Sequence, residues 1–98
     1  MRISVPTRRA INNVICDTNQ FPTMWDRPGA AITSICQTLA VHGLEVLGII
    51  SWDDKQEDYR HNYGLVNTQD GHNEIQNAML VFAWHRMGDR YEITAYIS

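Results

Sequence analysis

The sequence predicts an α+β domain in which two N-terminal helices pack on one face of a four-stranded, mainly antiparallel sheet that ends in a C-terminal β-hairpin. Apolar residues recur at helical spacing in the N-terminal part of the chain and at strand-like spacing in the C-terminal part. A two-residue turn sequence joins the last two apolar segments. Helices followed by consecutive strands are typical of α+β folds, and short connections favour antiparallel neighbours.

The chain has 98 residues, 44% of them hydrophobic, and a formal net charge of -3. This length predicts a single domain over residues 1–98, because two domains would each be too small to bury a core. The chain starts at Met1 and ends within a predicted strand, so we expect a complete small open reading frame. No apolar run approaches the roughly 20 residues that cross a membrane, and no apolar stretch follows Arg2 as in a signal peptide. Cys16 and Cys36 lie among apolar residues on predicted helices, which favours reduced, buried thiols in a cytoplasmic protein.

Capping residues and apolar spacing delimit two helices. In the first, Ser4 is a suitable N-cap and Pro6 falls in the first turn, where its missing N–H is not needed. We expect this helix to end near Asp17, with an apolar face made of Ala10, Ile11, Val14 and Ile15. In the second, Asp26 is the N-cap, and Gly43 suits the left-handed position that ends a helix. Its apolar stripe comprises Ala31, Ile32, Ile35, Cys36, Leu39 and Ala40.

The middle of the chain predicts two strands and two loops. Residues 44–52 are apolar on both sides, which is typical of a strand at the centre of a sheet. Residues 61–68 predict a weaker strand. The polar residues 53–60 predict a loop or short helical turn, and residues 69–77 predict a second loop built around Asp70-Gly71.

The most informative segment is the C-terminal hairpin formed by residues 79–87 and Arg90–Ile97. Gly88-Asp89 lies between them and suits a type II′ turn, which has glycine first. Such a turn pairs Met87 with Arg90 and fixes the register of every following pair. One face is then the predicted core, which comprises Leu80, Phe82, Trp84, Ile93, Ala95 and Ile97, capped by Arg86 and Tyr91. The opposite face is mixed and contains Val81, Ala83, His85, Met87, Glu92, Thr94 and Tyr96.

His85 and Glu92 face each other across this hairpin by the register argument. A histidine beside a carboxylate can serve acid–base chemistry, but the same pair is also an ordinary cross-strand contact on a solvated face. The sequence places no nucleophile or second acid beside the pair, and no glycine-rich phosphate loop or hydrolase motif occurs elsewhere. We therefore predict no catalytic residue.

Potential metal ligands do not form a recognisable pattern. His61, Asp70 and His72 match no compact ligand spacing, and the two cysteines have no neighbouring histidine motif. The acidic residues 53–58 lack the regular ligands and the central glycine of an EF-hand loop. We predict neither a metal nor another cofactor, and interpret the acidic segment as a solvated loop or as a docking patch for a basic partner.

The acidic net charge argues against a nucleic-acid partner, which would require a basic face. Arg2, Arg8 and Arg9 lie near the start of the first helix, where we interpret them as solvated. Positive charge at that end opposes the helix dipole, so a contact with a partner is the alternative. The strands carry no aromatic pattern of the RNA-recognition type.

Several aromatic and charged residues lack a clear position in the core. Tyr59, Arg60 and Tyr63 are of types that are common at interface hot spots. Trp25 and Arg27 flank the start of the second helix, although a tryptophan there can also cover the end of a small core. The candidate partner surface comprises Trp25, Arg27, Tyr59, Arg60, Tyr63, His85, Glu92 and Tyr96.

These observations predict a non-enzymatic protein-binding module. Small stand-alone domains are often accessory proteins of phages and mobile elements, so we expect that the module inhibits a host defence complex. Its partner would be another protein or protein complex rather than a membrane, and the chain itself would be a monomer or a homodimer. One alternative is a small enzyme or ligand-binding domain that uses His85, Glu92, Thr94 and Tyr96. The other is a homodimeric structural subunit that pairs through its last strand, since an apolar edge strand invites pairing.

Overall fold

The structure is a computed structural model that describes residues 2–20, 24–25, 28–51 and 55–98, and the side chains of 2–15, 29, 31–51 and 55–98. The predicted cap Asp26 and the candidate Arg27 lie outside the described residues, as do the side chains of Cys16 and Trp25. The described ranges contain two helices and six strands. In chain order they are α1 (Val5–Gln20), β1 (Met24–Trp25), α2 (Pro28–Val41), β2 (Leu44–Leu47), β3 (Asp58–Asn67), β4 (Asn73–Glu74), β5 (Leu80–Met87) and β6 (Arg90–Ile97).

The strands form an antiparallel sheet with the order β1-β6-β5-β3-β2, and β4 pairs with the C-terminal end of β3. α1 packs on β6 and on α2, and α2 also contacts β2 and β6. The predicted α+β fold is confirmed, with β1 and β4 as short additions to the four predicted strands. The core lies between the two helices and alternate residues of the long strands. We call this side of the sheet the helix face. The fully buried members of the core are Ile11, Ile15, Ile35, Leu39, Leu65, Leu80, Phe82 and Ile97.

The C-terminal hairpin has the predicted register. Met87 pairs with Arg90, and the pairing continues to Leu80 with Ile97. Gly88 has a φ of +68°, whereas Asp89 is not in the left-handed region, as a type II′ turn requires. Every residue predicted for the core face of the hairpin is buried, including Trp84.

α1 begins as predicted but is longer than predicted. Thr7 donates its N–H to Ser4 Oγ at 3.2 Å, and Arg8 donates its N–H to the Ser4 carbonyl at 3.0 Å, so Ser4 is the N-cap. The helix continues to Gln20 instead of ending near Asp17, because residues 18–20 include no glycine or proline. Its buried stripe is narrower than predicted, since Val14 is 46% exposed.

Arg8 has a structural role that the sequence did not indicate. Its Nη2 donates to the Asn77 carbonyl at 2.6 Å and its side chain is partly buried, whereas Arg2 and Arg9 are exposed. Asn77 in turn exchanges two hydrogen bonds with the main chain of Ile3. These contacts attach the start of α1 to the segment that leads into β5.

α2 ends where the sequence predicts. Gly43 has a φ of +71°, and its N–H donates to the Ala40 carbonyl at 3.0 Å. Ala31, Ile35 and Leu39 are buried in the core. Cys36 was predicted to be buried with them, but it is exposed on the side of α2 that faces β2.

The prediction of a central strand over residues 44–52 was wrong. β2 has only four residues and lies at the edge of the sheet, paired with β3 alone among the described strands. Gly48 has a φ of +108°, which ends the extended conformation. Leu47 is 50% exposed and Ile49 is 87% exposed, so the apolar character of the segment does not reflect burial on both faces.

β3 is longer and more central than the predicted weak strand over residues 61–68. It spans ten residues and pairs with β5 on one side and with β2 on the other. The strand therefore includes residues 58–60, which were predicted to lie in a polar loop. Its polar side chains at Asp58, Arg60 and Asn62 point away from the helices, so polarity there marks a solvated face and not a loop.

The outer edge of the last strand, on which the homodimer alternative depends, is covered at both of its ends. β1 pairs with β6 at Tyr91 and Glu92. At the other end, the side-chain amide of Asn12 donates to the Ile97 carbonyl at 2.9 Å and accepts the Ile97 N–H at 2.7 Å. Asn12 thus takes the place of a neighbouring strand. Neither helix of the described chain is long and apolar enough to span a bilayer.

Candidate functional site

The sheet has an outer face, opposite the helix face, that is built from alternate residues of three adjacent strands. The register places Asp58, Arg60 and Asn62 of β3 beside His85, Ala83 and Val81 of β5. These residues lie beside Glu92, Thr94 and Tyr96 of β6. Most of these side chains are exposed, although Val81 is buried between its neighbours.

A shallow depression of about 300 Å³ lies at the end of the outer face near the hairpin turn. We call it the outer-face site. It is lined by Asp58, Tyr59, Arg60, Ala83, Trp84, His85, Glu92 and Thr94. The three strands hold these positions through main-chain pairing, so the charged groups are arranged on a regular sheet surface.

His85 is at the centre of a row of titratable side chains. Asp58 and Glu92 are its direct neighbours on β3 and β6. The Nδ1–H of His85 donates a hydrogen bond to Asp58 Oδ1. This bond and the negative charge of Asp58 raise the pKa of His85 above its usual value, and Glu92 and Glu57 add to the effect.

The charge of the outer-face site depends on the protonation of His85. When His85 is neutral, the carboxylates of Asp58, Glu92 and nearby Glu57 outnumber the guanidinium groups of Arg60 and of Arg90, which precedes Glu92 on the same face of β6. When His85 is protonated, its positive charge offsets this excess. The side chains of His85 and Asp58 are 56% and 72% exposed, so water screens the interaction between them.

The side chains of Tyr59 and Tyr63 lie on the helix face, although Tyr59 also borders the outer-face site. The Tyr59 ring stacks on Trp84 with a centroid distance of 5.9 Å and an interplanar angle of 9°. Tyr63 is buried, and its hydroxyl shares a hydrogen bond with that of Tyr59. Burial raises the pKa of Tyr63, and the contact with Tyr59 adds to the shift. The predicted cluster of Tyr59, Arg60 and Tyr63 is therefore divided between the two faces.

The structure brings together some of the predicted surface residues and separates others. Arg60, His85 and Glu92 line the outer-face site. Tyr96 is on the same face but lies opposite Val81, toward the other end of the hairpin. The main chain of Trp25, in β1, pairs with that of Tyr91, in β6.

Sequence reasoning missed Asp58 as the hydrogen-bond partner of His85. The hairpin turn fixes the pairing of His85 with Glu92, because the two residues are close in sequence. The pairing of His85 with Asp58 depends on the register between β3 and β5, which no short turn determines. The alternation of Asp58, Arg60 and Asn62 with Tyr59, His61 and Tyr63 is the signal that could have identified a half-exposed strand.

The other potential ligands are dispersed. His61 lies on the helix face of β3, exposed, with its ring centroid 4.4 Å from that of Tyr63. His72 is in the turn before β4, and its Nε2 is 3.9 Å from Glu45 Oε2. Within the described ranges, no three His, Cys, Asp or Glu side chains are grouped as metal ligands.

Known proteins do not identify the site. The chain matches no protein family, no curated protein and no solved structure at a significant level. Its function is therefore inferred from its own residues.

Proposed function

We propose that the chain is a non-enzymatic protein-binding module that docks a basic surface of its partner onto the outer-face site. The observation that carries this proposal is the row of Asp58, His85 and Glu92 on the sheet face that neither helix covers. An excess of carboxylates on an exposed surface attracts basic groups and selects against acidic ones. The proposal applies equally to a monomer and to a homodimer of this chain.

The exposure of the charged groups supports docking over catalysis. Enzymes raise the reactivity of acid–base groups by removing them from water. Here the side chains of His85 and Asp58 are both more than half exposed, so the outer-face site leaves them hydrated. Covering by a partner would desolvate them, which strengthens their interaction with a basic group.

The same proposal includes a more specific biological role for the chain. Binding would inhibit a host defence complex in the cytoplasm, as small accessory proteins of phages and mobile elements do. The small size of the chain, 98 residues, supports this role.

A second candidate is a small enzyme or ligand-binding domain with its site at the same place. The hydrogen bond between His85 and Asp58 favours this candidate, because a carboxylate that holds an imidazole can orient it for proton transfer. Thr94 contributes an aliphatic hydroxyl to the depression, and it lies on β6 on the same face as Glu92. The exposure of the pair weighs against this candidate, as above.

The experiment compares protein partners captured by the wild-type chain and by Asp58→Asn/Glu92→Gln. Partners that the wild type captures are then purified, and their affinities for both forms are measured by calorimetry at low and high salt. We expect the double variant to bind about tenfold more weakly, because two exposed charge pairs are lost, and the wild-type affinity to fall with salt.

The control is Asp70→Asn/Asp89→Asn, which changes the net charge by the same amount in two turns outside the depression. It should bind like the wild type. His85→Ala keeps both carboxylates and should also bind, whereas the second candidate requires that it loses function. Equal binding by the wild type and Asp58→Asn/Glu92→Gln would exclude this site as the docking surface.

A further inference from the structure

A second surface, separate from the outer-face site, lies where β2 forms an edge of the sheet beside α2. A groove of about 430 Å³ runs between them, and its lining is mainly apolar. It is lined by Leu44 and Val46 of β2, by Ile32, Cys36 and Leu39 of α2, and by Ile50. Leu47 and Ile49 are exposed apolar side chains of the same segment.

The hydrogen bonds of β2 show which of its main-chain groups point outward. Thr68 donates its N–H to the Gly43 carbonyl at 2.9 Å, so these two residues form a hydrogen-bonded pair across the strands. Such pairs recur at every second residue of an antiparallel ladder, so Glu45 also bonds to β3. The N–H and C=O groups of Leu44 and Val46 therefore point away from β3, toward the edge.

The bonds on the far side of β3 agree with this assignment. Ile75 donates its N–H to the Leu65 carbonyl at 2.7 Å, so Leu65 bonds away from β2. Val46, its partner in the register, is then in a non-hydrogen-bonded pair. Within the described part of the chain, no strand pairs with the outer edge of β2. An extended peptide is the structure that satisfies such an edge.

We propose that β2 accepts an extended segment of a partner protein as an added strand, with apolar residues opposite Leu44 and Val46 and a Lys or Arg opposite Glu45. The side chains of Leu44 and Val46 point to the helix face, where they line the groove. A partner residue opposite either of them points into the same groove and is therefore apolar. Glu45 points to the outer face and is exposed, so a basic residue opposite it forms an ion pair.

Charge excludes a second copy of this chain as the preferred occupant. In an antiparallel pair of β2 strands that joins the outward groups of Leu44 to those of Val46, Glu45 of each copy lies opposite Glu45 of the other. Like charges directly opposite each other destabilise a strand pair. The same position attracts a basic residue, so the edge selects a different chain.

The test uses two synthetic peptides, TVKVKVT and TVEVEVT, each of which reads the same in both directions and can pair in either orientation. Peptide is added to isotopically labelled protein, and amide hydrogen exchange is followed by NMR. We expect TVKVKVT to slow exchange of the Leu44 and Val46 amides, with no comparable effect on Glu45, whose amide already bonds to β3. TVEVEVT should bind at least about threefold more weakly, because it places a carboxylate opposite Glu45.

Two variants distinguish strand addition at β2 from a general attraction of the basic peptide to an acidic protein. Glu45→Lys, a change at an exposed position, should reverse the preference between the peptides. Asp58→Asn/Glu92→Gln should leave the protection by TVKVKVT unchanged, so failure here and failure of the outer-face site are distinguishable. Unchanged exchange at Leu44 and Val46 with saturating peptide, equal affinity for both peptides, or self-association through β2 would each overturn the proposal.

Discussion

At the scale of single residues, the outer-face site depends on the neighbours of one imidazole. His85 has a carboxylate on each side, but only Asp58 accepts its hydrogen bond. The folded protein therefore holds the proton more tightly than an unfolded chain does. A raised histidine pKa stabilises the fold below the unfolded value of about 6.5, and this contribution is lost as the pH rises through the folded value.

The first residue-scale prediction is that Asp58→Asn lowers the pKa of His85 toward the usual value for histidine. The change replaces the charged acceptor of the hydrogen bond with a neutral one. The hydrogen bond to Asp58 and the negative charge of Asp58 are the main causes of the raised pKa. Glu92→Gln should lower the pKa by less, because Glu92 contributes only through its charge. NMR titration of the imidazole ring protons measures both shifts. Equal effects of the two substitutions would contradict the hydrogen bond to Asp58.

The sequence predicted one of the two carboxylate neighbours of His85. The two-residue turn set His85 opposite Glu92, and the structure has that pair. Asp58 could not be placed, because its position depends on a pairing between strands separated by β4 and two connecting segments. Tyr63 was misplaced on the surface for the same reason, since only the register of β3 shows that it points into the core.

At the scale of elements, the two edges of the sheet differ in the partners of their main-chain groups. The C-terminal end of β6 is closed by the side chain of Asn12, which bonds to both main-chain groups of Ile97. β2 lies beside a groove lined by side chains of α2, and within the described ranges no side chain caps its edge in the same way. Unpaired edges are sites of strand addition, so β2 is the edge at which a partner strand is expected.

The element-scale prediction is that Asn12→Ala destabilises the protein by about 1–3 kcal/mol, since two hydrogen bonds to a buried strand end are lost. Urea unfolding followed by circular dichroism measures the change. Asn13→Ala, at an exposed position of the same helix, is the matched control and should change stability by less than about 0.5 kcal/mol. Equal effects of the two substitutions would show that the cap contributes nothing beyond helix propensity.

At the scale of the whole molecule, local signals predicted the fold class but not which strand lies at the edge of the sheet. The four predicted strands follow one another in chain order, as short connections favour, with β2 outermost. The N-cap of α1, the glycine that ends α2 and the hairpin turn involve residues close in sequence, and these features are confirmed. Residues 44–52 were predicted as a central strand because apolar residues on both sides indicate burial on both sides. Exposed Leu47 and Ile49 show why the inference fails: an apolar side chain at an edge can be left uncovered within the chain.

The whole-molecule prediction is that the helices and the sheet unfold as one unit. Ile11 of α1 and Ile93 of β6 are buried in the same core, so Ile11→Val and Ile93→Val should each cost about 0.5–1.5 kcal/mol. Each should shift the midpoint seen by helical circular dichroism and the midpoint seen by tryptophan fluorescence by the same amount. Val41→Ala, at a highly exposed position of α2, should leave both midpoints nearly unchanged. Separate midpoints for the two probes would mean that the helices and the sheet are independent, and that the outer-face site and the β2 edge are not held in one rigid frame.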